Sequence, residues 1–529
     1  MQKLALTTLA ALCLSACASF NNTPMLTGVA AIGGPLANAQ ITVVDSLGVK
    51  KTTMADARGA YTLDASGLTA PLMIQAVEAG KSNCRYNNAP VAKCLVSLLP
   101  AIQPGVNVAN LNPLADRVTS DVAVQLKFIG PQQLFDSGKT PAIPQPALAE
   151  ALKQQRAGFK TALVAAGVAN VEAFDPVSRP MQADGKGVDA VLSVIHHNRN
   201  YDNNSGEAGF TTLTDISFRP IVSLYGKGEY EALDFKRAQG ELAAIKNAKI
   251  RILIVGDSTA ATYEQFRAPR MGWGQVFQNQ FKAGSGVVVL NGARAGRSSR
   301  DFYNGGWYGQ MARFMQAGDY VVINHGHNDQ NCDSKKPMRG AADVANLCSY
   351  PNDTQGKKQF PTGWPHMSFQ NSLENYVKDA KARGAIPFMM TPTTRFWNAE
   401  RKEAYKGGDA RPVVPNHFTF AGQGSGGYAL VGDYSQTVKD TAKSNGLPLI
   451  DLEAKTIAFA NAHASDWQNY WLVISDTKTY PWYATQKDGT PAKPDTTHLQ
   501  EAGAKAFADL VAEGIKETPE LKNLAQLLK

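Results

Sequence analysis

The hydrophobic and polar positions along the chain change their rhythm near residue 248. Beyond this point, nearly unbroken apolar runs alternate with stretches of helical periodicity. The apolar runs are Ile250–Val255, Val287–Asn291, Tyr320–Asn324, Ile386–Met390 and Leu447–Asp451, and the clearest helical stretches are Ser368–Arg383 and Ala429–Ser444. Strands that are apolar on both faces are typical of a parallel sheet covered by helices. The pattern therefore predicts an α/β domain with a parallel sheet over residues 246–529.

Residues 25–100 have a different pattern, with short runs of strand character between turn residues. These runs are Ala39–Asp45, Lys51–Met54 and Ala60–Leu63, and they predict a small β-sandwich. The order of glycines and apolar positions, from Gly28 to the turn Asp56-Ala57-Arg58-Gly59 and on to Tyr61, resembles the carboxypeptidase regulatory-like domain. That resemblance implies a spacer or interaction module without catalytic residues.

Residues 101–245 are predicted to form a mostly helical connector. Asn112 is suited to cap a helix that begins at Pro113, and residues 146–166 have helical character again. A third helix is indicated further along by apolar residues at the spacing of one helix face, namely Val188, Val191, Leu192 and Ile195.

The first residues of the chain predict export. Lys3 and the short apolar stretch Leu4–Leu14 are typical of a signal peptide and are too short to span a bilayer. The stretch ends in Leu14-Ser15-Ala16-Cys17, which resembles a bacterial lipobox; this implies a signal peptide over residues 1–16, a lipidated Cys17 and a polar tether over residues 17–24. Because Ala18 rather than Asp follows, the resemblance favours anchoring at the outer membrane. The alternative is an ordinary signal peptide with an incidental cysteine.

Composition and charge narrow the class of protein only slightly. With 529 residues, of which 44% are hydrophobic and 19% charged, the chain is long enough for two to four globular domains. A net charge of +8 without a run of five basic residues does not indicate a nucleic-acid partner. The charge is compatible with an acidic substrate such as a polyuronate, although solubility explains it equally well. The sequence does not indicate an oligomeric state.

The cysteines fall into local pairs. Besides Cys13 in the signal peptide and Cys17, the chain has Cys84 near Cys94 and Cys332 near Cys348. Export to an oxidising compartment favours two disulfides, with a metal site as the alternative. No histidine or cysteine cluster has zinc-like spacing. The adjacent His196 and His197 point different ways on a helix, so we predict no metal there.

Four short segments carry the candidate chemistry. They are Gly256-Asp257-Ser258-Thr259, Ala295-Gly296-Arg297-Ser298, Gly326-His327-Asn328-Asp329 and Asp495-Thr496-Thr497-His498. The first three follow predicted strands closely, and the carboxyl ends of parallel strands are where such domains place reactive groups. Together the segments offer a hydroxyl nucleophile, an imidazole base with a carboxylate, and donors for an oxyanion, which are the groups that acyl transfer needs.

Each residue has a proposed role and a structural alternative. We predict Ser258 as the nucleophile, His498 as the general base and Asp495 as the carboxylate that orients it. The amides of Ser258 and Gly296 and the side chain of Asn328 are the predicted oxyanion donors. Taken singly, Ser258 and Asp495 are also ordinary helix caps, and Gly296 and Asn328 are ordinary turn residues. Asp257 and Asp329 are expected to brace the loops rather than react.

These segments resemble the SGNH (GDSL-like) hydrolase superfamily, over about residues 248–516. Within it, the strings Gly256–Ala261, Gly272-Trp273-Gly274, Ala295–Ser299 and Asp495–Leu499 are most similar to rhamnogalacturonan acetylesterases. The resemblance implies a flavodoxin-like three-layer α/β/α domain and a serine esterase that removes O-acetyl groups from a pectic polysaccharide without a cofactor or metal. No Gly-x-Ser-x-Gly nucleophile elbow is present in a strand–turn–helix setting.

The substrate contacts are less well defined by the sequence. We predict Arg297 and Trp273 as substrate-binding residues; for Arg297, a structural role at a strand end is an equal alternative. Residues 331–366 look like an insertion, and the aromatic-rich stretch 467–490 forms either a sugar platform or part of the core. Two other functions stay open: a lipase or arylesterase with the same mechanism, and a surface lipoprotein that binds polysaccharide without catalysis.

Overall fold

The structure is a computed structural model, and the residues it describes cover most of the chain from Thr23 onward. The described residues are 23–84, 90–201, 208–222, 231–330, 347, 349, 355, 357–358, 368–396, 411–417 and 432–529. The predicted signal peptide and tether therefore lie almost wholly outside them. Among the described residues, no helix combines the length and apolarity needed to cross a bilayer.

The N-terminal strands form two facing sheets. They are β1 (Met25–Val29), β2 (Gln40–Val44), β3 (Lys50–Met54), β4 (Ala60–Asp64), β5 (Leu72–Val77), β6 (Cys94–Leu99) and β7 (Val106–Val108). One sheet has the order β4-β1-β7 and the other β3-β2-β5-β6. Alternate residues such as Tyr61 and Leu63 of β4 point into the apolar layer between the sheets. The prediction of a β-rich N-terminal part is confirmed.

Residues 101–245 contain helices and also a sheet. The elements are α1 (Pro113–Gln125), α2 (Pro131–Asp136), α3 (Gln145–Ala165), α4 (Gly187–Leu192), β8 (Ile195–Tyr201), β9 (Ala208–Asp215), β10 (Pro220–Val222) and α5 (Phe235–Asn247). Asn112 caps α1 as predicted, because its Oδ1 accepts hydrogen bonds from the N–H groups of Leu114 and Ala115 at 3.0 and 2.9 Å. The helices α1 and α2 cover the outer face of the four-stranded sheet.

The mostly helical description of residues 101–245 is incomplete. Strands β8, β9 and β10 form an antiparallel sheet. The helix predicted to include Ile195 ends at Leu192, and Ile195 instead begins β8, where it pairs with Asp215. The spacing of these apolar residues wrongly predicted one continuous helix. All of them are buried in the same core, although the last of them lies on a strand. His196 and His197 therefore lie on a strand, not on a helix.

The C-terminal half has the predicted α/β architecture. Its strands are β11 (Ile250–Gly256), β12 (Arg270–Met271), β13 (Val287–Asn291), β14 (Tyr320–Asn324), β15 (Ile386–Met390), β16 (Leu449–Ile450), β17 (Trp471–Leu472) and β18 (Asp495–Gln500). Five of them form a parallel sheet in the order β13-β11-β14-β15-β16. This is the strand order of flavodoxin-like folds. In these folds, ligands bind beyond the carboxyl ends of the strands.

Helices cover both faces of the parallel sheet. They are α6 (Trp273–Val276), α7 (Ser299–Asn304), α8 (Trp307–Ala312), α9 (Phe369–Ala382), α10 (Tyr434–Ser444), α11 (Leu452–Ala462), α12 (Glu501–Glu517) and α13 (Lys522–Ala525). Along β11, Leu253 and Val255 enter one apolar cluster, whereas Ile252 and Ile254 enter the other. The first cluster also contains residues of α3, α4 and α5, so residues 101–245 pack directly against the α/β domain.

The segment around Asp495 and His498 lies on a short strand. This strand, β18, pairs with β12 and β17 in a small antiparallel sheet, and α12 begins at Glu501. The short strand places the Asp495–His498 segment on a fixed frame beside the parallel sheet.

Candidate active site

Ser258 lies two residues beyond the end of β11, at the carboxyl edge of the parallel sheet. It is 7% exposed. The Tyr263 hydroxyl donates to the Ser258 carbonyl oxygen at 2.6 Å, and the Trp273 N–H donates to the Thr259 carbonyl at 3.0 Å. Within the part of the chain that the structure describes, the Ser258 hydroxyl has no hydrogen-bond partner. The backbone of this loop is thus held firmly while the hydroxyl stays available.

The Gly272-Trp273-Gly274 segment supports this loop by close backbone packing. A Cβ on Gly272 would lie 2.3 Å from the Ala260 carbonyl carbon, and a Cβ on Gly274 would lie 2.6 Å from the Ala260 oxygen. Trp273 is 0% exposed, and its Nε1 donates to the Asn324 side chain at 3.3 Å. The prediction that Trp273 binds substrate is therefore wrong, because a buried ring has no face left for a ligand. It holds the Ser258 loop from beneath.

Two buried carboxylates connect the first three segments. Asp257 accepts hydrogen bonds from the Thr259 N–H at 3.0 Å and from the His327 N–H at 3.3 Å. Asp329 accepts from the N–H and the hydroxyl of Ser299 at 2.8 and 2.7 Å. Burial raises the pKa of Asp257 to about 6 and that of Asp329 to about 7. Both side chains brace loops, and through them the structure brings the three segments to one edge of the sheet.

Asp495 and His498 form a hydrogen-bonded pair on β18. His498 Nδ1 lies 2.6 Å from Asp495 Oδ2, while Asp495 Oδ1 accepts from the N–H groups of Thr497 and His498 at 3.0 and 3.1 Å. The two side chains are 15 and 20% exposed, respectively. A carboxylate in this position fixes the imidazole tautomer, leaving Nε2 free to accept a proton.

The strand pairing brings His498 toward the Ser258 loop. Met271 of β12 pairs with Leu499, and the next residues along the chain, Gly272 and Trp273, bind the Ser258 loop. The pKa of His327 is lowered by burial, then by the charges of His417 and Arg395, and then by that of His498, which therefore lies near this ring. No hydrogen bond joins the Ser258 hydroxyl to His498 among the described residues. Such bonds are often long without substrate and shorten in the reacting complex.

An arginine next to the pair was not predicted from the sequence. The guanidinium groups of Arg267 and Arg270 lie 4.9 and 4.6 Å from the ring centroid of Tyr263. Burial and then the positive charge of Arg270 lower the pKa of His498 to about 4, against the opposing effect of Asp495. Burial alone would raise the pKa of Asp495, but His498 and Arg270 outweigh it and hold that pKa well below its usual value. Only the position of Arg270, two residues before Gly272, could have signalled this role.

The low pKa of His498 predicts activity in mildly acidic solution. A general base must be neutral, so kcat/KM should fall only as the pH drops through about 4, rather than through 6.5. Replacing Arg270 by methionine removes a nearby positive charge and should raise the pKa of His498. The acid limb of the pH profile should therefore move to higher pH by about one unit. The measurement is the pH dependence of kcat/KM for p-nitrophenyl acetate, with Arg58→Met, an exposed arginine of the sandwich, as control. An unchanged acid limb in Arg270→Met would contradict the assignment.

The predicted oxyanion donors lie on the neighbouring loops. Gly296 is exposed and has φ = +74°, a conformation that glycine adopts without strain. Asn328 is half-buried, and its Nδ2 donates to the Arg297 carbonyl at 3.1 Å. One of its two amide hydrogens is thus used to orient the side chain, and the second remains for a ligand.

Arg297 is engaged inside the protein. Its guanidinium lies 2.9 Å from a carboxylate oxygen of Asp301, and the two side chains are 7 and 0% exposed. Ser298 caps α7 through the N–H of Asp301 at 3.2 Å, so this ion pair belongs to the first turn of the helix. The prediction that Arg297 binds substrate is corrected, because the cation already has a buried partner; its structural role lies in the first turn of α7 and not at a strand end.

Most of the aromatic side chains near β18 belong to the core. Trp471 and Tyr483 are buried, and Trp467 stacks on Phe396 with ring centroids 4.5 Å apart. The other four aromatic residues are half-buried and pack against buried apolar clusters: Trp467, Tyr470, Tyr480 and Trp482. The core alternative therefore describes these aromatic residues better than a sugar platform.

The cysteine predictions have separate outcomes. Cys84 and Cys94 form a disulfide with their Cα atoms 5.7 Å apart. Cys332, Cys348 and the lipidation site Cys17 lie outside the described residues, as does almost all of the predicted insertion at residues 331–366.

Residues 254–506 match the GDSL-like Lipase/Acylhydrolase family, and the matched range contains all four candidate segments. Rhamnogalacturonan acetylesterase RhgT of Bacillus subtilis is 30% identical over 268 residues, which cover 51% of this chain and 90% of RhgT. The chain belongs to the GDSL-like lipase/acylhydrolase family. This GDSL-like acylhydrolase is accordingly a carboxylic ester hydrolase.

Other proteins resemble the same half of this GDSL-like acylhydrolase. The probable rhamnogalacturonan acetylesterase YesY of Bacillus subtilis is 27% identical, covering 50% of this chain and 92% of YesY. A variant of the acetylxylan esterase Axe2 from Geobacillus stearothermophilus, known from a crystal structure, is 14% identical, with 51% of this chain and 94% of that chain covered and a TM-score of 0.28.

Proposed function

We propose that this GDSL-like acylhydrolase removes O-acetyl groups from a pectic polysaccharide such as rhamnogalacturonan. The observation that carries the mechanism is the 2.6 Å pair of Asp495 and His498 on a strand that is tied to the Ser258 loop. The substrate class is supported by the relatives named rhamnogalacturonan acetylesterase, which align along nearly their whole length.

The proposed reaction is a two-step acyl transfer. Ser258 Oγ attacks the acetyl carbonyl carbon while His498 Nε2 takes the hydroxyl proton, and the developing oxyanion accepts hydrogen bonds from the Ser258 N–H, the Gly296 N–H and Asn328 Nδ2. The carbon–oxygen bond to the sugar breaks, and His498 gives its proton to the departing sugar oxygen. Water, deprotonated by His498, then attacks the acetyl-enzyme and releases acetate. Asp495 stays ionised and stabilises the imidazolium.

The substrate is tested by comparing acetate release from several acetylated polymers. We expect the purified protein to release acetate from acetylated rhamnogalacturonan at least about tenfold faster than from homogalacturonan or xylan, a selectivity that needs only about 1.4 kcal/mol of differential transition-state binding. A preference for acetylxylan, or for long-chain p-nitrophenyl esters, would reassign the substrate while leaving the esterase mechanism intact. Binding of acetylated rhamnogalacturonan without acetate release would favour the non-catalytic alternative.

We also infer that the protein is exported and attached to the outer membrane through a lipid on Cys17. The lipobox-like string before Cys17 supports this inference, and the Cys84–Cys94 disulfide suits an oxidising compartment. The test is fractionation of cells that produce the full chain. The protein should be recovered in the membrane fraction, whereas Cys17→Ser should release it; equal partitioning of the two would refute the anchor.

A further inference from the structure

A cavity of about 290 Å³ lies at the junction of the N-terminal sandwich, residues 101–245 and the α/β domain. Each part contributes to its wall: Lys93 from the sandwich, Asn198 and Arg199 from β8, and Tyr303 and Arg313 from the α/β domain. We call it the junction cavity. Its lining includes none of the candidate catalytic residues. Its volume is close to the lower end of the range of ligand pockets, about 300–1,000 Å³, so it suits a ligand of the size of a sugar.

The walls of the junction cavity are tied together by hydrogen bonds. The Val91 N–H of the sandwich donates to the Asn304 carbonyl at 2.8 Å. Gln310 of α8 donates to the Asn198 side chain at 2.7 Å and contacts the His196 ring at 2.8 Å. Because three parts of the chain meet through such contacts, the cavity is preformed, which reduces the entropy that a ligand would lose on ordering it.

The polar groups of the cavity that lack partners are donors. Asn198 is 4% exposed, and its Nδ2 has no hydrogen-bond partner among the described residues. Burying an amide N–H without a hydrogen-bond partner costs free energy of folding. A ligand with an acceptor oxygen at this position would supply the partner.

Lys93 forms no ion pair with any described carboxylate. Arg313 forms none either, and its Nη2 lies 3.4 Å from Nδ1 of the His196 ring, whereas Arg199 is paired with Asp116 at 2.8 Å. The wall also contains two carboxylates, but that of Asp379 is paired with Arg383 at 2.9 Å and that of Glu78 accepts a hydrogen bond from the Lys93 N–H at 3.1 Å. The two cations and the amide donor without a carboxylate partner therefore favour an anion that is rich in oxygen.

An aromatic face completes the wall. Tyr303 is half-buried and stacks on Tyr308, with ring centroids 5.4 Å apart and planes 22° from parallel. A sugar ring presents apolar C–H groups that pack on such a face, and a sugar acid adds the carboxylate that Lys93 and Arg313 would bind. A uronate unit therefore combines the features that the cavity can recognise.

We propose that the junction cavity binds a uronate unit of a pectic chain. This inference rests on the proposed function for its choice of polymer, but not on the esterase reaction. The helix α7 connects the two sites, since Ser298 at its start follows Gly296 and Tyr303 near its end lines the cavity. At 1.5 Å per residue, a six-residue helix is about 9 Å long, so the cavity lies within a few sugar units of the oxyanion loop.

The test is calorimetric titration of the full chain with fully deacetylated oligogalacturonate. Since this ligand carries no acetyl group, the result does not depend on catalysis. Wild type should bind it with an affinity that falls as salt rises, and Arg313→Gln and Lys93→Gln should each weaken binding about tenfold, because each removes a charge-assisted contact. Both replaced side chains are exposed at the cavity, so the variants are expected to fold. Arg58→Gln, on the turn of the sandwich, is the matched control and should bind like wild type.

Three results would overturn the proposal. The first is no binding of oligogalacturonate by wild type. The second is binding that Arg313→Gln and Lys93→Gln leave unchanged, which would place the ligand elsewhere, for instance at Ser258. The third is equally tight binding of a neutral galactan oligomer, which would exclude recognition of the carboxylate. Failure of acetate release from every acetylated polymer, by contrast, would refute the proposed function while leaving this titration interpretable.

Discussion

Replacing Ser258 by alanine should lower kcat for p-nitrophenyl acetate by about 10⁵-fold or more, because loss of the nucleophile of a serine hydrolase removes the whole covalent pathway. The stability of the variant should match that of wild type. The Ser258 hydroxyl has no hydrogen-bond partner among the described residues, and the loop is held by backbone contacts to Tyr263 and Trp273 that alanine preserves. The measurements are steady-state kinetics and a thermal melt.

The matched control for this variant is Ser66→Ala. Ser66 is an exposed serine in a turn of the N-terminal sandwich, far along the chain from the site. It should keep wild-type kcat and KM. If Ser258→Ala hydrolysed the ester at the wild-type rate, Ser258 would not be the nucleophile, and its position after β11 would be that of an ordinary loop residue.

Replacing Asp495 by asparagine should lower kcat by about 10⁴-fold, with little change in KM. Asp495 contacts His498 and not the substrate, so its loss affects the proton transfer and not binding. Asparagine keeps an oxygen for the N–H groups of Thr497 and His498, but its neutral amide neither fixes the reactive tautomer nor stabilises the imidazolium. The expected signature is therefore a kcat effect without loss of fold.

Asp476 offers a control with the same local geometry. Its carboxylate accepts hydrogen bonds from the N–H groups of Lys478 and Thr479, both at 3.1 Å, as Asp495 does from the residues that follow it. Asp476 has no histidine partner among the residues that the structure describes. Asp476→Asn should therefore keep wild-type kcat. If kcat fell equally in the two variants, or fell less than about tenfold in Asp495→Asn, the Asp495 carboxylate would only stabilise the local turn and would not assist His498.

The parallel sheet could be predicted from the sequence because its strands are buried on both faces. A run such as Ile250–Val255 is apolar except for Arg251, and this signal is independent of any partner strand. The candidate site followed from the same signal, since the ends of these strands carry Ser258, Gly296 and Asn328. The pairing of Asp495 with His498 was predicted from their spacing of three residues and is present at 2.6 Å.

The sheet of β8, β9 and β10 could not be predicted in the same way. Its buried positions include His196, Asn198 and Thr211, which carry no hydrophobic periodicity. They are stabilised by contacts with distant residues; Thr211, for example, donates to Asp116 at 2.6 Å. Polar residues that become buried through long-range partners look like surface residues in a sequence.

The roles of Trp273 and Arg297 show a second limit. Both stand in strings that mark the family, and a family string does not distinguish a residue that contacts the substrate from one that supports the loop. Only the burial of Trp273 and the ion pair of Arg297 with Asp301 separate the two. Arg270 was missed for the opposite reason, because its effect on His498 depends on the pairing of β12 with β18.

The apolar cluster that joins residues 101–245 to one face of the parallel sheet has a consequence for dissecting the protein. Phe159, Leu192 and Phe235 share this cluster with Val255 and Val321. A fragment cut at residue 246 would expose that face to water, where it would promote aggregation. We therefore expect the two parts of the chain to melt in a single cooperative transition, and a truncation meant to isolate catalysis should begin upstream of α1.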